Sequence, residues 1–531
     1  MQVTCSSLGA LLLLLPMVSC ASSPSSPSYI GAVVEYRPVT EGRDGLEVAA
    51  QNANHLRTIV KKASESSADI IVFPEVGLSS FPANLTGWST ARIREHYYHM
   101  ASYLPDSRDQ VVLCGSSGNY TQALKSVSCA ARAFGIYVVV NHYEKVDCRA
   151  EQPNCAGDGF LIYNTNVVFD RQGRLIARYR KYNLFFEPGV NVTAAAEISI
   201  FDTDFGVRFG QIICNDILYG EPALELASKH GKDVVFSAEW FSELPFLTSV
   251  QAHSAWAYAN DVNLLSSGFN EPAITNGGSG IYLGRAGISR ATIPNVASNV
   301  LIVTEIPKVI NGQRQPLSNL TRPKAYAFSQ SEVPTVWDNV KDFMYKDDFR
   351  TYTTELVDPK QLLHERKLCN RGLCCDFKID VSFNDNLAKQ SGKDYYRYRI
   401  GVFNGTRLFA GLFTVGIQVC GLFFCRDDTL ASCGDRFSPN SSVINPTVFH
   451  KIEIKQIVSD RSEYRKTFYL PMTLTANLMP VDYSKIKYQN YLSEIDGTAR
   501  KLSLRESESQ LMAFAIYGRN LANDGANLTK P

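Results

Sequence analysis

A mostly apolar segment, Val207–Ile213, stops at Cys214, and the chain then reads Asn215, Asp216 and, a turn later, Pro222. That is the pattern of a strand, a sharp turn and a helix beginning near Pro222. A cysteine at a strand tip faces a crevice and lies near the partial positive charge of backbone N–H groups. Both favour the thiolate, the reactive form. Taken alone, such a cysteine is more often a half-cystine or a buried thiol.

The surrounding pattern predicts layered α/β structure. Tyr29–Val34 reads as a first strand and Leu46–Ser66 has helical spacing. Ala68–Phe73 is a buried strand ending at Pro74 and Glu75. A helix is expected near the end of Val111–Ala133, then a strand at Ile136–Val140. Phe160–Asp170 alternates, Arg171-Gln172-Gly173 turns, and Leu175–Tyr179 returns as a hairpin that runs into Arg180, Lys181 and Tyr182. Asp233–Ser237 and Val262–Ser267 read as strands around a helix at Pro245–Ala259, with a closing hairpin from Gly277. Alternation of strands and helices excludes an all-β domain here. Beyond about residue 320 helical spacing fades, and tyrosine, phenylalanine and cysteine increase. A second, mainly β, disulfide-tied domain is expected over 330–515, followed by a polar tail over 516–531.

The chain's start and its cysteines indicate an oxidising compartment. Leu8–Val18 is an apolar run followed by Ser19, Cys20, Ala21 and Ser22, which resembles a cleaved signal peptide over 1–21. A Ser/Pro linker over 22–28, disordered, should precede the first domain. Removing Cys5 and Cys20 with the leader leaves eleven of the 13 cysteines; with Cys214 set aside, ten remain, enough for five disulfides. Cys148 with Cys155 and Cys114 with Cys129 are close enough to close small loops. Cys369, Cys374, Cys375, Cys420, Cys425 and Cys433 form a cluster of open connectivity; the zinc alternative lacks a nearby histidine. Asn84, Asn119, Asn191, Asn319, Asn404, Asn440 and Asn527 each open an Asn-x-Ser/Thr sequon, as expected of a secreted glycoprotein.

Leu408–Cys425 carries no charge, but it holds Gln418, cysteines and glycines, and sequons flank it on both sides. It reads as buried strands rather than a membrane span. The C-terminus lacks the hydrophobic tail of a GPI anchor. With 53 basic against 52 acidic residues and no polybasic block, nothing implies nucleic acid or an anionic membrane as partner.

Three strand ends carry chemistry: Phe73-Pro74-Glu75, Tyr179-Arg180-Lys181 and Ile213-Cys214-Asn215. Brought to one sheet edge, a thiol, a carboxylate and an ammonium are a complete set for acyl transfer. A Cys–His pair using His253 is the competing arrangement, and His96 with His99 is a weak metal pair lacking an acidic third ligand.

The segments FPE, RYRKYNLFFEPG and IICNDILYGEPA resemble those of the nitrilase (carbon–nitrogen hydrolase) superfamily, in particular its secreted vanin (pantetheinase) and biotinidase branch. YNTNVVFDRQGRLIARYRKYNLF, LPFLTSVQAHSAWAYANDVNLLSSGFN and GSGIY extend the likeness over about residues 29–310, and more loosely to the end. The resemblance implies a four-layer αββα sandwich over 29–325 and a secreted amidase without a cofactor or metal. It implies Glu75 as general base, Lys181 as oxyanion stabiliser and Cys214 as nucleophile. Glu187 would support the lysine or position substrate, its alternative being a surface turn. The Asn215 backbone N–H would join the oxyanion hole, although the branch usually has an aromatic there, and Trp240 and Phe241 would line the acyl pocket. The implied partner is a small amide, pantetheine first; a biotinyl amide, or a silent binding protein of the same fold, is the alternative. The implied state is a monomer or a homodimer built through the sheet-flanking helices.

Overall fold

The computed structural model describes residues 21–529, apart from 43, 80–86, 150–154, 156, 318–323, 329–343, 410–412, 439–440, 458–466 and 491–497. The proposed leader and Asn84, Asn319 and Asn440 lie outside the described residues. The first layer begins with β1 (Ser28–Glu35), α1 (Gly45–Glu65) and β2 (Ile70–Val72). Asp44 caps α1 by accepting from the Glu47 N–H at 2.9 Å. The helix buries one stripe of Val48, Ala49, Ala53, Leu56, Ile59, Val60 and Ala63. Next come α2 (Thr90–Met100), α3 (Gln122–Phe134), β3 (Tyr137–Asp147), β4 (Phe160–Phe169) and β5 (Leu175–Arg180). The β4–β5 turn requires glycine: Gly173 has φ +75°, and a Cβ there would meet the Ser128 carbonyl oxygen at 2.5 Å.

The second layer contains β6 (Ile200–Asp202), β7 (Arg208–Ile213), α4 (Glu225–Lys229), β8 (Asp233–Ala238), the short β9 (Glu243–Leu244) and α5 (Ser249–Asn260). It closes with β10 (Asn263–Gly268), β11 (Ser279–Leu283) and β12 (Ile288–Thr292), and β13 (Val300–Pro307) returns to the first sheet. One sheet has the order Lys324–Ala327, β13, β1, β2, β3, β4, β5; the other has β12, β11, β10, β8, β7, β6. Val33, Ile70, Val72 and Val139 of the first sheet pack on Phe209, Val235, Leu265 and Ile281 of the second. Helices α1 and α3 cover the outer face of the first sheet, and α4 and α5 that of the second. This is the expected αββα sandwich. Strand β4 is buried on both faces because it lies inside these layers, so its alternation in sequence does not mark a solvent side.

The C-terminal region is two five-stranded antiparallel sheets. One runs Thr353–Leu356, Arg397–Phe409, Phe413–Cys425, Leu511–Asn520, Thr467–Thr475. The other runs Leu363–Asn370, Leu373–Phe383, Thr447–Ile457, Thr498–Leu504, Ile486–Asn490. The uncharged run around Gln418 is the buried Phe413–Cys425 strand and the end of its hairpin partner. The 114–129 and 148–155 loops are disulfide-closed. The cluster pairs as 369–374, 375–420 and 425–433, and Cys375–Cys420 ties the two sheets together. The second domain covers α5: Tyr258 stacks on Tyr483 at 4.4 Å, and the Tyr483 hydroxyl donates to Ser254 Oγ at 2.9 Å. Arg407 Nη1 donates to Glu243 Oε2 at 2.7 Å, and Tyr345–Lys346 pairs with β9. The α5 face is therefore filled by the chain itself.

Two expectations need correction. The Ser/Pro stretch over 22–28 is docked: Ser22 N–H donates to Asp69 Oδ1 at 3.0 Å, Lys308 Nζ donates to the Ser23 carbonyl at 2.8 Å, and the Lys308 backbone N–H donates to the Pro27 carbonyl at 2.9 Å. Backbone carbonyls left free by proline and serine suit a buried lysine. The tail proposed from 516 instead begins inside the Leu511–Asn520 strand, whose apolar half is central in its sheet. The helix expected from Pro222 is present: a tight turn spans Cys214–Leu218, Glu221 is extended, and from Pro222 the backbone turns helical and runs on into α4. Of the described sequons, Asn119 and Asn527 are exposed. Asn191 Oδ1 accepts from Arg94 and from the Ile162 N–H, and the Asn404 amide bridges the Arg371 carbonyl and Gln418.

Candidate active site

Four strands end at one edge and deliver one group each. Beyond β2, Phe73-Pro74 places Glu75, and the Phe73 carbonyl accepts from Ser237 Oγ of β8 at 2.8 Å, which links the two sheets. Lys181 follows β5, Cys214 follows β7 and Glu239 follows β8. Glu75, Lys181 and Cys214 are all buried. Lys181 Nζ donates to Glu75 Oε1 at 2.6 Å and to Glu187 Oε1 at 2.5 Å. Glu187 is not a surface turn; its side chain is 3% exposed. It also accepts from the Phe185 N–H at 3.1 Å.

Asn164 of β4 holds the two carboxylates in register. Its Nδ2 donates to Glu75 Oε1 at 2.7 Å and to Glu187 Oε2 at 2.8 Å. Asn141 Nδ2 in turn donates to Asn164 Oδ1 at 2.7 Å, while its Oδ1 accepts from the Val76 N–H at 2.7 Å. The amide chain fixes which way Asn164 presents its N–H.

Cys214 is a free thiol. It donates to the Glu239 carbonyl at 3.3 Å, and the Glu239 N–H donates to Glu75 Oε2 at 3.0 Å. One residue of backbone thus holds both nucleophile and base. Cys214 has φ +43°, a left-handed conformation that costs a side-chain-bearing residue about 1–2 kcal/mol. Asp216 enforces the bend: Oδ2 accepts from the Ile213 N–H at 3.0 Å and the Tyr179 hydroxyl at 2.8 Å, and Oδ1 accepts from the Asn183 main chain and amide at 2.9 Å.

Electrostatics corrects one expectation. The thiol does not rest as a thiolate. Burial, and then the Glu75 carboxylate, push its pKa well up, against the opposing pull of Lys181. A proton must therefore leave the sulfur during the reaction, and a base stands beside it. Burial also raises the Glu75 carboxyl, Lys181 lowers it and Glu187 raises it. Burial alone would neutralise Lys181, but Glu187 and Glu75 reverse this and hold its pKa well above the usual value, so the ammonium persists.

The cavity outside the sulfur has a volume of about 360 Å³ including its mouth. Phe185, Cys214, Asn215, Leu218, Glu239, Trp240, Phe241, Glu243 and Leu247 line it, with Phe409 from the second domain. Trp240 Nε1 donates to the Leu247 carbonyl at 3.0 Å, and Phe241 stacks on Phe185 at 5.6 Å. Asn215 is the second residue of the tight turn, where the first N–H groups lack partners within the turn. His253 packs between Phe236 and Trp240 and bonds Ser266 Oγ at 3.0 Å, and burial lowers its pKa to about 3. No hydrogen bond joins it to Cys214 among the described residues. His96 and His99 belong to no metal-binding group among the described residues.

Residues 32–262 match the carbon-nitrogen hydrolase family model, and residues 341–524 match the vanin C-terminal domain. Vanin-like protein 2 of Drosophila melanogaster is 34% identical, over 97% of this chain and 94% of that protein. The chain belongs to the vanin-like carbon–nitrogen hydrolases. The pantetheinase of Bos taurus is 29% identical, over 91% of this chain and 95% of its own. The solved structure of Nit3 from Saccharomyces cerevisiae, a member of branch 10 of the nitrilase superfamily, is 20% identical. It covers 54% of this chain and 93% of its own, with a TM-score of 0.39. As a vanin-like hydrolase, the chain cleaves carbon–nitrogen amide bonds other than peptide bonds.

Sequence reasoning missed Asn164, Asn141, Asp216, Glu239 and Phe409. Asparagines at 164 and 166 inside an apolar strand were a signal, because a buried amide in a strand must bond something specific. Glu239 follows its strand as Glu75 follows β2, so the strand-end rule applied to β8 finds it. Phe409 carried no signal, since it reaches the cavity only through the packing of the two domains.

Proposed function

We propose that the chain is a secreted amidase that hydrolyses pantetheine to pantothenate and cysteamine through a thioester on Cys214. The observation that carries the chemistry is the free Cys214 thiol, joined through the Glu239 main chain to the Glu75 carboxylate, which with Glu187 clamps the Lys181 ammonium. The relatives whose names state pantetheine hydrolysis support the substrate, and five disulfides among the described residues support an extracellular site. Glu75 accepts the thiol proton as sulfur attacks the amide carbon. The oxyanion forms beside Lys181 and the Asn215 N–H. Glu75 passes the proton to the nitrogen, the C–N bond breaks and the amine leaves. Glu75 then takes a proton from water, whose oxygen attacks the thioester. The C–S bond breaks, the acid departs, and the sulfur recovers a proton.

Purified protein incubated with pantetheine and, in parallel, biotinyl-lysine tests this, with products read by mass. Pantothenate release faster than biotin release, lost in Cys214→Ala, is the expected result. Faster biotin release would overturn the substrate, and an active Cys214→Ala protein would overturn the nucleophile.

A further inference from the structure

The cavity wall is largely apolar and aromatic, and among the described residues few of its polar side-chain atoms are left to meet a ligand. Asn215 gives its amide N–H to the Leu184 carbonyl at 3.3 Å, and Glu243 takes Arg407 at 2.7 Å. Glu239 differs. Its Oε1 accepts from Asn276 Nδ2 at 2.9 Å, and its Oε2 has no hydrogen-bond partner among the described residues. The same residue's main chain bonds Cys214 Sγ and Glu75 Oε2. The carboxyl is therefore held at a fixed offset from the reacting sulfur, on the cavity side.

We propose that the Glu239 carboxyl is a substrate-positioning group that donates a hydrogen bond to a carbonyl or hydroxyl oxygen in the acyl part of the amide. The cavity then prefers acyl groups bearing such an oxygen over all-carbon chains of similar length. The inference rests on the amidase reading of this site and adds the feature that selects within it.

Donation requires the acid form, and the surroundings supply it. Burial and then Glu75 raise the carboxyl, Lys181 lowers it, Glu187 raises it and Asn276 lowers it, leaving it at about 8. The phenols of Tyr97 on α2 and Tyr143 on β3 lie within electrostatic reach of it, and burial keeps both un-ionised. Below about pH 8 Glu239 is neutral and donates. As pH rises through that value it becomes a carboxylate that repels the substrate oxygen it had bound.

Wild type, Glu239→Ala and Glu239→Gln are compared on pantetheine and on N-octanoylcysteamine from about pH 6 to about pH 9.5. Both substrates release the same amine, but the second has an all-carbon acyl chain. Wild type should prefer pantetheine, with the preference falling above about pH 8. In Glu239→Ala the ratio of the two kcat/KM values should fall about tenfold, as for loss of one hydrogen bond in a dry site. Glu239→Gln keeps an N–H donor, so it should retain most of the preference and lose the alkaline fall. Equal losses on both amides in Glu239→Ala would make the residue structural and overturn the proposal, as would an alkaline fall that persists in Glu239→Gln. Cleavage of N-octanoylcysteamine but not pantetheine by the wild type would overturn the selectivity together with the substrate. Cleavage of neither would overturn the amidase reading itself.

Discussion

Replacing Glu187 by glutamine tests how the lysine cage works. Both carboxylate oxygens sit on one tetrahedral nitrogen, at 2.6 and 2.5 Å. They are thus about 4 Å apart, and at an effective dielectric of about 20 their charges repel by roughly 4 kcal/mol. Lys181 offsets that repulsion by attracting both. In Glu187→Gln the amide oxygen can still accept from Lys181, so shape is kept and one charge is lost. Glu75 is freed of a like charge, ionises at lower pH and becomes a weaker base. Lys181 loses half of its clamp and is placed less firmly for the oxyanion. We expect kcat to fall about a hundredfold, the size of one lost preorganised electrostatic contact. The acid limb of kcat/KM should move to lower pH. Stopped assays of cysteamine release over the acid range measure both. An unmoved acid limb with kcat within about threefold of wild type would refute the coupling, because two charges this close cannot act independently.

Asn164→Leu removes the N–H that Glu75 and Glu187 both accept; hydrogen bonds to charged groups contribute about 1.5–3 kcal/mol each, so activity should fall at least tenfold while circular dichroism is unchanged. Glu35 is buried, held by Asn270, Gly278 and Ser279, and raised from 4.5 to about 7, chiefly by burial. Between those values the folded state binds the proton that the unfolded state has lost, so this group makes stability fall as pH rises, by up to about 1.4 kcal/mol per pH unit; urea titrations should show a flatter slope in Glu35→Gln. Arg407→Ala strands the buried carboxylates of Glu243 and Asp347 at the junction of the two domains. A cost of about 3–5 kcal/mol is expected, visible as a lower melting temperature.

The layered α/β fold was legible because its buried strands are short apolar runs that stop at a polar residue, and because α1 shows a clean buried stripe. The same stops pointed to Glu75, Lys181 and Cys214, since a residue just past a strand is where the sheet edge opens. What stayed hidden depends on pairing across long sequence distances. Asn164 meets Glu75 only because β4 and β2 flank β3, and Phe409 enters the cavity only because Arg407 and Tyr345–Lys346 anchor the second domain on the β9 loop. The thiolate expectation failed for a physical reason. A strand tip alone suggests exposure and N–H groups, but this tip is roofed by the Glu239 carbonyl and faces a carboxylate, and both burial and like charge favour the neutral thiol. Ser/Pro composition likewise said nothing of Lys308, whose buried ammonium takes carbonyls from that stretch.

The most direct test is acid quenching during pantetheine turnover, followed by mass analysis of the peptide containing Cys214. The account predicts a pantothenoyl thioester on that sulfur, removed by hydroxylamine and absent when pantetheine is omitted. Steady turnover with the Cys214 peptide never modified, or with the acyl group on another residue, would contradict it.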